Sequence, residues 1–206
     1  MTQDDTPGPY FETVYEAQPG TLANQFLIAM PHLQDPWFNH TVTFLWKHNE
    51  EGALGIVINK PSTMRVADLM EELGIDMSAR RGDIAFHSRY VMSGGPVEKQ
   101  KGFILHNSGR EWEYTLPLTP QLSLTMSRDI LADIAAGNGP EQYLVALGCA
   151  GWDAGQLDRE ITDNVWLTTP ALPDLIFSDN HAQKAEQAAS ILGVSLSQLS
   201  AFAGHS

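Results

Sequence analysis

The side chains with most capacity for chemistry are concentrated in one stretch, Gln142 to Thr162, QYLVALGCAGWDAGQLDREIT, which holds the only cysteine, a tryptophan and three acidic residues. Cys149 directly follows a strand-like run and has Gly151 two residues on. A nucleophile elbow needs glycine two residues before the nucleophile as well, and that position is Leu147. A thiol must also be held as thiolate by a base or cation, and no histidine follows Cys149 until His181. The pattern favours a buried, inert thiol over a nucleophile, a base brought from elsewhere in the fold being the one route to reactivity.

The glycines raise a second possibility, a phosphate cradle at a helix N-terminus. The spacing Gly148-x-x-Gly151-x-x-x-Gly155 is not that of a dinucleotide site, and no Gly-Lys-Ser/Thr follows. Asp153, read as the N-cap of the next helix with Gln156 at N3, would repel a phosphate there. Asp158 and Glu160 are two apart on that helix and diverge, so they do not form an acid–base pair. Trp152 lies within the bend, where it either closes a crevice or meets a ligand or partner.

A second glycine turn, Ser93-Gly94-Gly95-Pro96, stands at another strand end and can present amides to an anion or simply turn the chain. Of the seven histidines none belongs to an H-E-x-x-H or cysteine-containing zinc pattern, so no metal site and no cofactor is expected. His106 ends a strand beside Asn107 and reads as a rim or hydrogen-bonding histidine. The ligand-binding candidates are therefore Gly94, Gly95, His106, Gly148, Gly151, Trp152 and Asp153, and no residue is assigned a catalytic role.

These residues need elements to position them. Phe26–Met30 (FLIAM), Thr41–Lys47 (TVTFLWK) and Ala53–Asn59 (ALGIVIN) read as strands, the last two joined as an antiparallel hairpin. Val66–Leu73 reads as a helix capped by Ser62 or Thr63, and Ile75–Phe86 as a connecting loop. Short strands follow at Tyr90–Met92, Gly102–His106, Glu111–Leu116 and Gln121–Met126, enough for a smaller strand-rich part around 90–126. Ser127 caps a helix over Arg128–Ala136, and Tyr143–Leu147 is a buried strand leading into the glycine bend. Apolar pieces at Asn164–Leu167 and Leu175–Phe177 precede helices opening at Asn180 and Ser195. The expected fold is α/β of the mixed α+β kind: a mixed, largely antiparallel sheet with flanking helices over 19–206, after an N-terminal tail over 1–18.

The balance of 12 Lys and Arg against 25 Asp and Glu gives a formal charge of −13, which repels nucleic-acid backbones. Direct DNA or RNA binding is therefore not expected. One cysteine excludes an internal disulfide, no signal-peptide pattern opens the chain, and no apolar run approaches a membrane span, so a cytoplasmic protein is expected.

Several stretches together resemble the YqgE/AlgH family of bacterial proteins. They are Phe26–Pro31 with Asp35, Pro36 and Phe38; His48 and Gly52–Pro61; Gly94–Val97 with Gly102–His106; and, most specifically, Ala146–Leu157 running on to Glu160, Asn164 and Trp166. The sequence departs from the commoner family form at Cys149, often tyrosine, and Asp153, often glycine. The resemblance implies a mixed-sheet fold with a smaller α+β part, and no established catalytic residue, cofactor or substrate. Some members are called transcriptional regulators through a link to alginate production, without a recognised DNA-binding motif. The expected function is a non-enzymatic binding or regulatory protein acting on an unknown small molecule or protein through a crevice between Gly94-Gly95 and Gly148–Trp152. A small-molecule enzyme using the same crevice and an indirect transcriptional regulator are the alternatives.

Overall fold

Alternating and β-branched runs form most of the strands at the expected places. They are β1 (Gln25–Ala29), β2 (Val42–Asn49), β3 (Gly52–Val57), β5 (Tyr90–Ser93), β6 (Val97–Asn107) and β8 (Leu122–Thr125), with β4 (Pro61–Arg65) between β3 and β5. The computed structural model describes residues 20–107 and 109–203. The expected tail over 1–18 lies outside the described residues.

Three expected boundaries shift for identifiable reasons. Tyr114 takes a left-handed backbone (φ 54°), so the strand expected from Glu111 starts instead as β7 (Thr115–Thr119). Gly148, also left-handed (φ 77°), kinks its strand without ending it, and β9 runs the whole length from Tyr143 to Asp153. The segment read as a loop before Phe86 holds a short helix, α2 (Ile84–Ser88), capped by Asp83 accepting from Phe86 N at 3.0 Å. Five residues are too few to show helical periodicity.

The other helices are α1 (Val66–Glu72), α3 (Asp129–Ala136), α4 (Gln156–Thr162), α5 (Pro173–Phe177), α6 (Lys184–Ile191) and α7 (Leu196–Ala203), with β10 (Trp166–Pro170) between α4 and α5. Neither Ser62 nor Thr63 caps α1: both lie within β4, and Asp68 Oδ2 instead reaches back to Arg65 N at 2.9 Å. Ser127 does not cap α3; its hydroxyl is taken by the Glu113 carbonyl and Asp129.

One ten-stranded sheet runs in the order β10-β1-β2-β3-β9-β6-β8-β7, with β5 on β9 and β4 on β5. Among the described residues the one parallel pairing is β5 with β9, Met92 opposite Ala146; the others are antiparallel. The strands from Tyr90 to Thr125 are thus continuous with the rest of the sheet. The sheet curls, because Phe26 and Ile28 near one end share a core with Leu116 and Leu118 at the other, and Asn24 Nδ2 donates to Leu118 O at 3.3 Å. Leu175, Ile176, Ala185, Ala188 and Ala189 of α5 and α6 close that inner core. Two smaller cores lie elsewhere on the sheet, one against α1 and α3, the other around Trp152, Trp166 and Leu157 of α4.

Candidate functional site

The long strand β9 organises the glycine corners. Its first half pairs with β5 and β6, and beyond Gly148 its second half pairs with β3, Gly52 opposite Asp153. The corner Gly94-Gly95 between β5 and β6 packs directly on the kink at Gly148. A Cβ on Gly94 would collide with the Gly148 carbonyl, and one on Gly95 with the Cys149 backbone. Gly94 N donates to Leu147 O and its carbonyl accepts from Val57 N, both at 2.9 Å. Gly94, Gly95 and Gly148 are therefore brought together, but backbone to backbone, with no space between them for a guest. Gly151 differs, being exposed and leaving ordinary contact distances of 3.7 Å to Leu54 and Val97 for a Cβ.

Trp152 is buried in an aromatic group with Trp166 and Phe38, at ring separations of 5.7 to 6.0 Å. Glu160 holds this group: its Oε2 accepts from Trp152 Nε1 at 2.9 Å and Trp166 Nε1 at 2.8 Å, while Oε1 accepts from Gln156 Nε2 at 2.8 Å. Gln156 Oε1 in turn accepts from Asp153 N at 3.0 Å. Asp153 is not the N-cap of α4, which is Gly155 (φ 66°); its carboxylate is exposed. The signature Trp152…Gln156…Glu160…Trp166 is thus a hydrogen-bonded brace between β9, α4 and β10.

His106 is fully buried and wired. The Asn107 carbonyl can only accept, so the 3.0 Å contact places the ring proton on Nδ1; Nε2 then accepts from Thr125 Oγ1 at 2.8 Å, and Thr115 Oγ1 supplies Thr125 at 2.7 Å. Burial pushes its pKa below the ordinary histidine value. His106 pairs with Tyr143 and Val97 with Cys149, so six strand residues, roughly 20 Å, separate His106 from the thiol. Burial pushes the Cys149 thiol up to about 12, with Glu98 adding to the effect. No acid, base and nucleophile converge from this set. Among the described residues no three His, Cys, Asp or Glu side chains group as a metal site.

Space for a ligand lies elsewhere, in a cavity of about 200 Å³ where the starts of β5 and β9 meet the segment after α5. Its polar lining includes Arg89, Tyr143, Asp179 and His181 together with Ser88 and Ser178; Met92, Leu144, Val145 and Ile176 are among its apolar residues. Arg89 is fixed there by donating to Tyr143 O at 3.1 Å and by lying over the Tyr143 ring at 4.5 Å. His181 Nδ1 is buried without a hydrogen-bond partner, and burial together with the nearby Lys184 lowers its pKa. Lys184, wholly buried behind this corner, donates to Ile58 O at 3.0 Å and Ile176 O at 2.8 Å, and burial brings its pKa down to about 8. None of these residues stands in a motif. The cavity comes from four segments of the chain, and the pairing of β5 with β9 brings the stretches at Arg89 and Tyr143 together.

Comparison with known proteins agrees with the fold. The family profile described as AlgH-like matches residues 26–197. The UPF0301 protein AlgH of Pseudomonas aeruginosa is 47% identical over 192 residues, 92% of this chain and 98% of its own. A UPF0301 protein of Thioalkalivibrio sulfidiphilus is 47% identical over 184 residues, 89% and 96% of the two chains. The solution structure of the Pseudomonas aeruginosa AlgH protein superposes with a TM-score of 0.72 at 45% identity, covering 93% of this chain and 99% of that one. A crystal structure of a Corynebacterium diphtheriae protein has a TM-score of 0.68 at 18% identity, covering 86% and 91%, a likeness of fold alone. By profile, by identity along nearly its whole length and by fold, the chain belongs to the AlgH-like family.

Proposed function

We propose that this chain is a non-enzymatic binding protein, regulatory in role, that holds a small molecule in the cavity between β5, β9 and the segment after α5. The observation that carries the reading is the cavity itself, in which a few fixed polar groups face an apolar floor. The closed contact of Gly94, Gly95 and Gly148 moves the expected binding place away from the glycine corners.

Two further observations support binding over other roles. The side chains best suited to catalysis are occupied: Cys149 is buried with a raised pKa, and His106 has both ring nitrogens bonded inside the protein. Two arginines that could meet nucleic acid are occupied within the protein, Arg80 by Ile134 O and Asp83, and Arg65 by Ser88 O and the Tyr90 ring. A cytoplasmic location belongs to the same proposal. Among the described residues no helix is long and apolar enough to cross a membrane.

The test is a fragment panel titrated into the full chain, with methyl NMR signals of Met92, Leu144, Val145 and Ile176 followed beside the spectrum of each fragment. Saturable shifts confined to these methyls, with the fragment unchanged, support the reading. Conversion of a bound fragment to product, or a panel that leaves all four residues unmoved, overturns it.

A further inference from the structure

We propose that the cavity takes a free α-amino acid with a medium-sized apolar side chain, carboxylate toward Arg89 and ammonium toward Asp179; this rests on the cavity being the binding site. Two independent features select that class, charge and polarity, and size is compatible with it.

Charges of opposite sign stand on different walls. Arg89 comes from the segment leading into β5, and Asp179 from the connection between α5 and α6. The guanidinium carries five N–H donors in a rigid fork, and the Tyr143 carbonyl takes one of them while the Tyr143 ring holds the plane in place. An oriented fork with donors left over suits a carboxylate. Among the described residues the Asp179 carboxylate makes no direct hydrogen bond or ion pair; its charge acts on Lys184 and His181 from a distance, and its oxygens are left to accept from an ammonium. A ligand that is only anionic satisfies Arg89 but brings like charge to Asp179; one that is only cationic does the reverse. A zwitterion that carries both charged groups on one carbon satisfies both.

More than half of the lining is apolar, with Ser88 and Ser178 adding hydroxyls to it. Met92, Leu144, Val145 and Ile176 offer nothing to a polar side chain and favour burying an apolar one. His181 Nδ1, shielded and without a partner, gives the ligand one further hydrogen-bonding group. Size is compatible: about 200 Å³ exceeds the roughly 150 Å³ that accommodates benzene. Side chains the size of valine, leucine and methionine fit within this volume.

The experiment titrates the full chain with leucine, with 4-methylpentanoate, which lacks the amine, and with 3-methylbutylamine, which lacks the carboxylate. Calorimetry and the four methyl probes are read together. The expected result is saturable leucine binding with each analogue at least tenfold weaker. Arg89→Gln then weakens leucine while leaving the amine unaffected, and Asp179→Asn, an isosteric change at an exposed position, weakens leucine while leaving the carboxylate unaffected. Equal binding of leucine and either analogue, or unchanged leucine affinity in Asp179→Asn, overturns the assignment. If leucine leaves the methyls still while other fragments move them, the ligand class is wrong and the cavity reading stands. If nothing moves them, both fall.

Discussion

The Gly148 carbonyl occupies the place where a side chain on Gly94 would begin, so the two glycine corners of this fold are one packed joint. At such a contact the absence of a Cβ is the structural requirement. Gly94→Ala should cost about 1–3 kcal/mol through overpacking against backbone that cannot move aside. Gly148→Ala adds the penalty of a left-handed backbone (φ 77°), about 1–2 kcal/mol. Gly151→Ala, with room for its methyl, should be nearly neutral. Urea midpoints of the three variants measure this directly; Gly94→Ala as stable as Gly151→Ala would mean that the corners do not touch.

Glu160 is the common acceptor for two indoles, and its removal should cost more than an ordinary surface carboxylate. Glu160→Ala leaves Trp152 Nε1 and Trp166 Nε1 without an acceptor, a loss of about 2–4 kcal/mol. Glu160→Gln keeps one oxygen for them and should lose less. Unfolding followed by tryptophan fluorescence gives both numbers. If the alanine and glutamine variants match wild type, the brace contributes nothing to stability.

The strands were legible where the pattern is local. TVTFLWK and ALGIVIN show their β character in composition and their hairpin in the short polar link, and β2 and β3 form there. Strand ends set by single backbone angles were not: nothing in the letters says that Tyr114 turns left-handed or that β9 continues through Gly148. The glycine corners were readable as turns, but their mutual contact depends on the pairing of β5 with β9, across more than fifty residues of sequence. The same holds for the cavity. Arg89, Tyr143 and His181 carry no spacing signal because their neighbourhood exists only after the sheet is assembled.

His106 should remain neutral below the pH at which a free histidine protonates. Burial is the main cause, and the hydrogen bond to Asn107 O opposes it only in part. The unfolded chain takes up a proton near the ordinary value of about 6.5, so this residue's contribution to stability is full above that pH and declines as pH falls from there toward the lowered native value. Nitrogen NMR of the ring should show the Nδ1–H tautomer and a protonation midpoint below that of a free histidine. Thr125→Val, which removes the donor to Nε2, should lower stability by about 1–2 kcal/mol. Titration of the native ring at the free value, or an Nε2–H tautomer, contradicts the hydrogen-bond chain.

Lys184 predicts the opposite end of the pH scale. Its ammonium is wholly enclosed, with two backbone carbonyls as partners, and burial brings the native pKa from 10.5 to about 8, Asp179 opposing the shift. Below pH 8 the amine is charged in both native and unfolded chains, and the cost of enclosing that charge is constant. Between about 8 and 10.5 the unfolded chain holds more protons than the native one, so stability from this group rises with pH through that window. The gain is on the order of 3 kcal/mol by pH 10.5. Lys184→Met removes the titrating group, and groups that titrate alike in both proteins cancel from the comparison. The unfolding free energy of the wild type, plotted against pH beside that of Lys184→Met, should therefore climb relative to the variant from pH 8 upward. Parallel curves would show that the amine reaches water and that α6 does not seal it against Ile58 and Ile176.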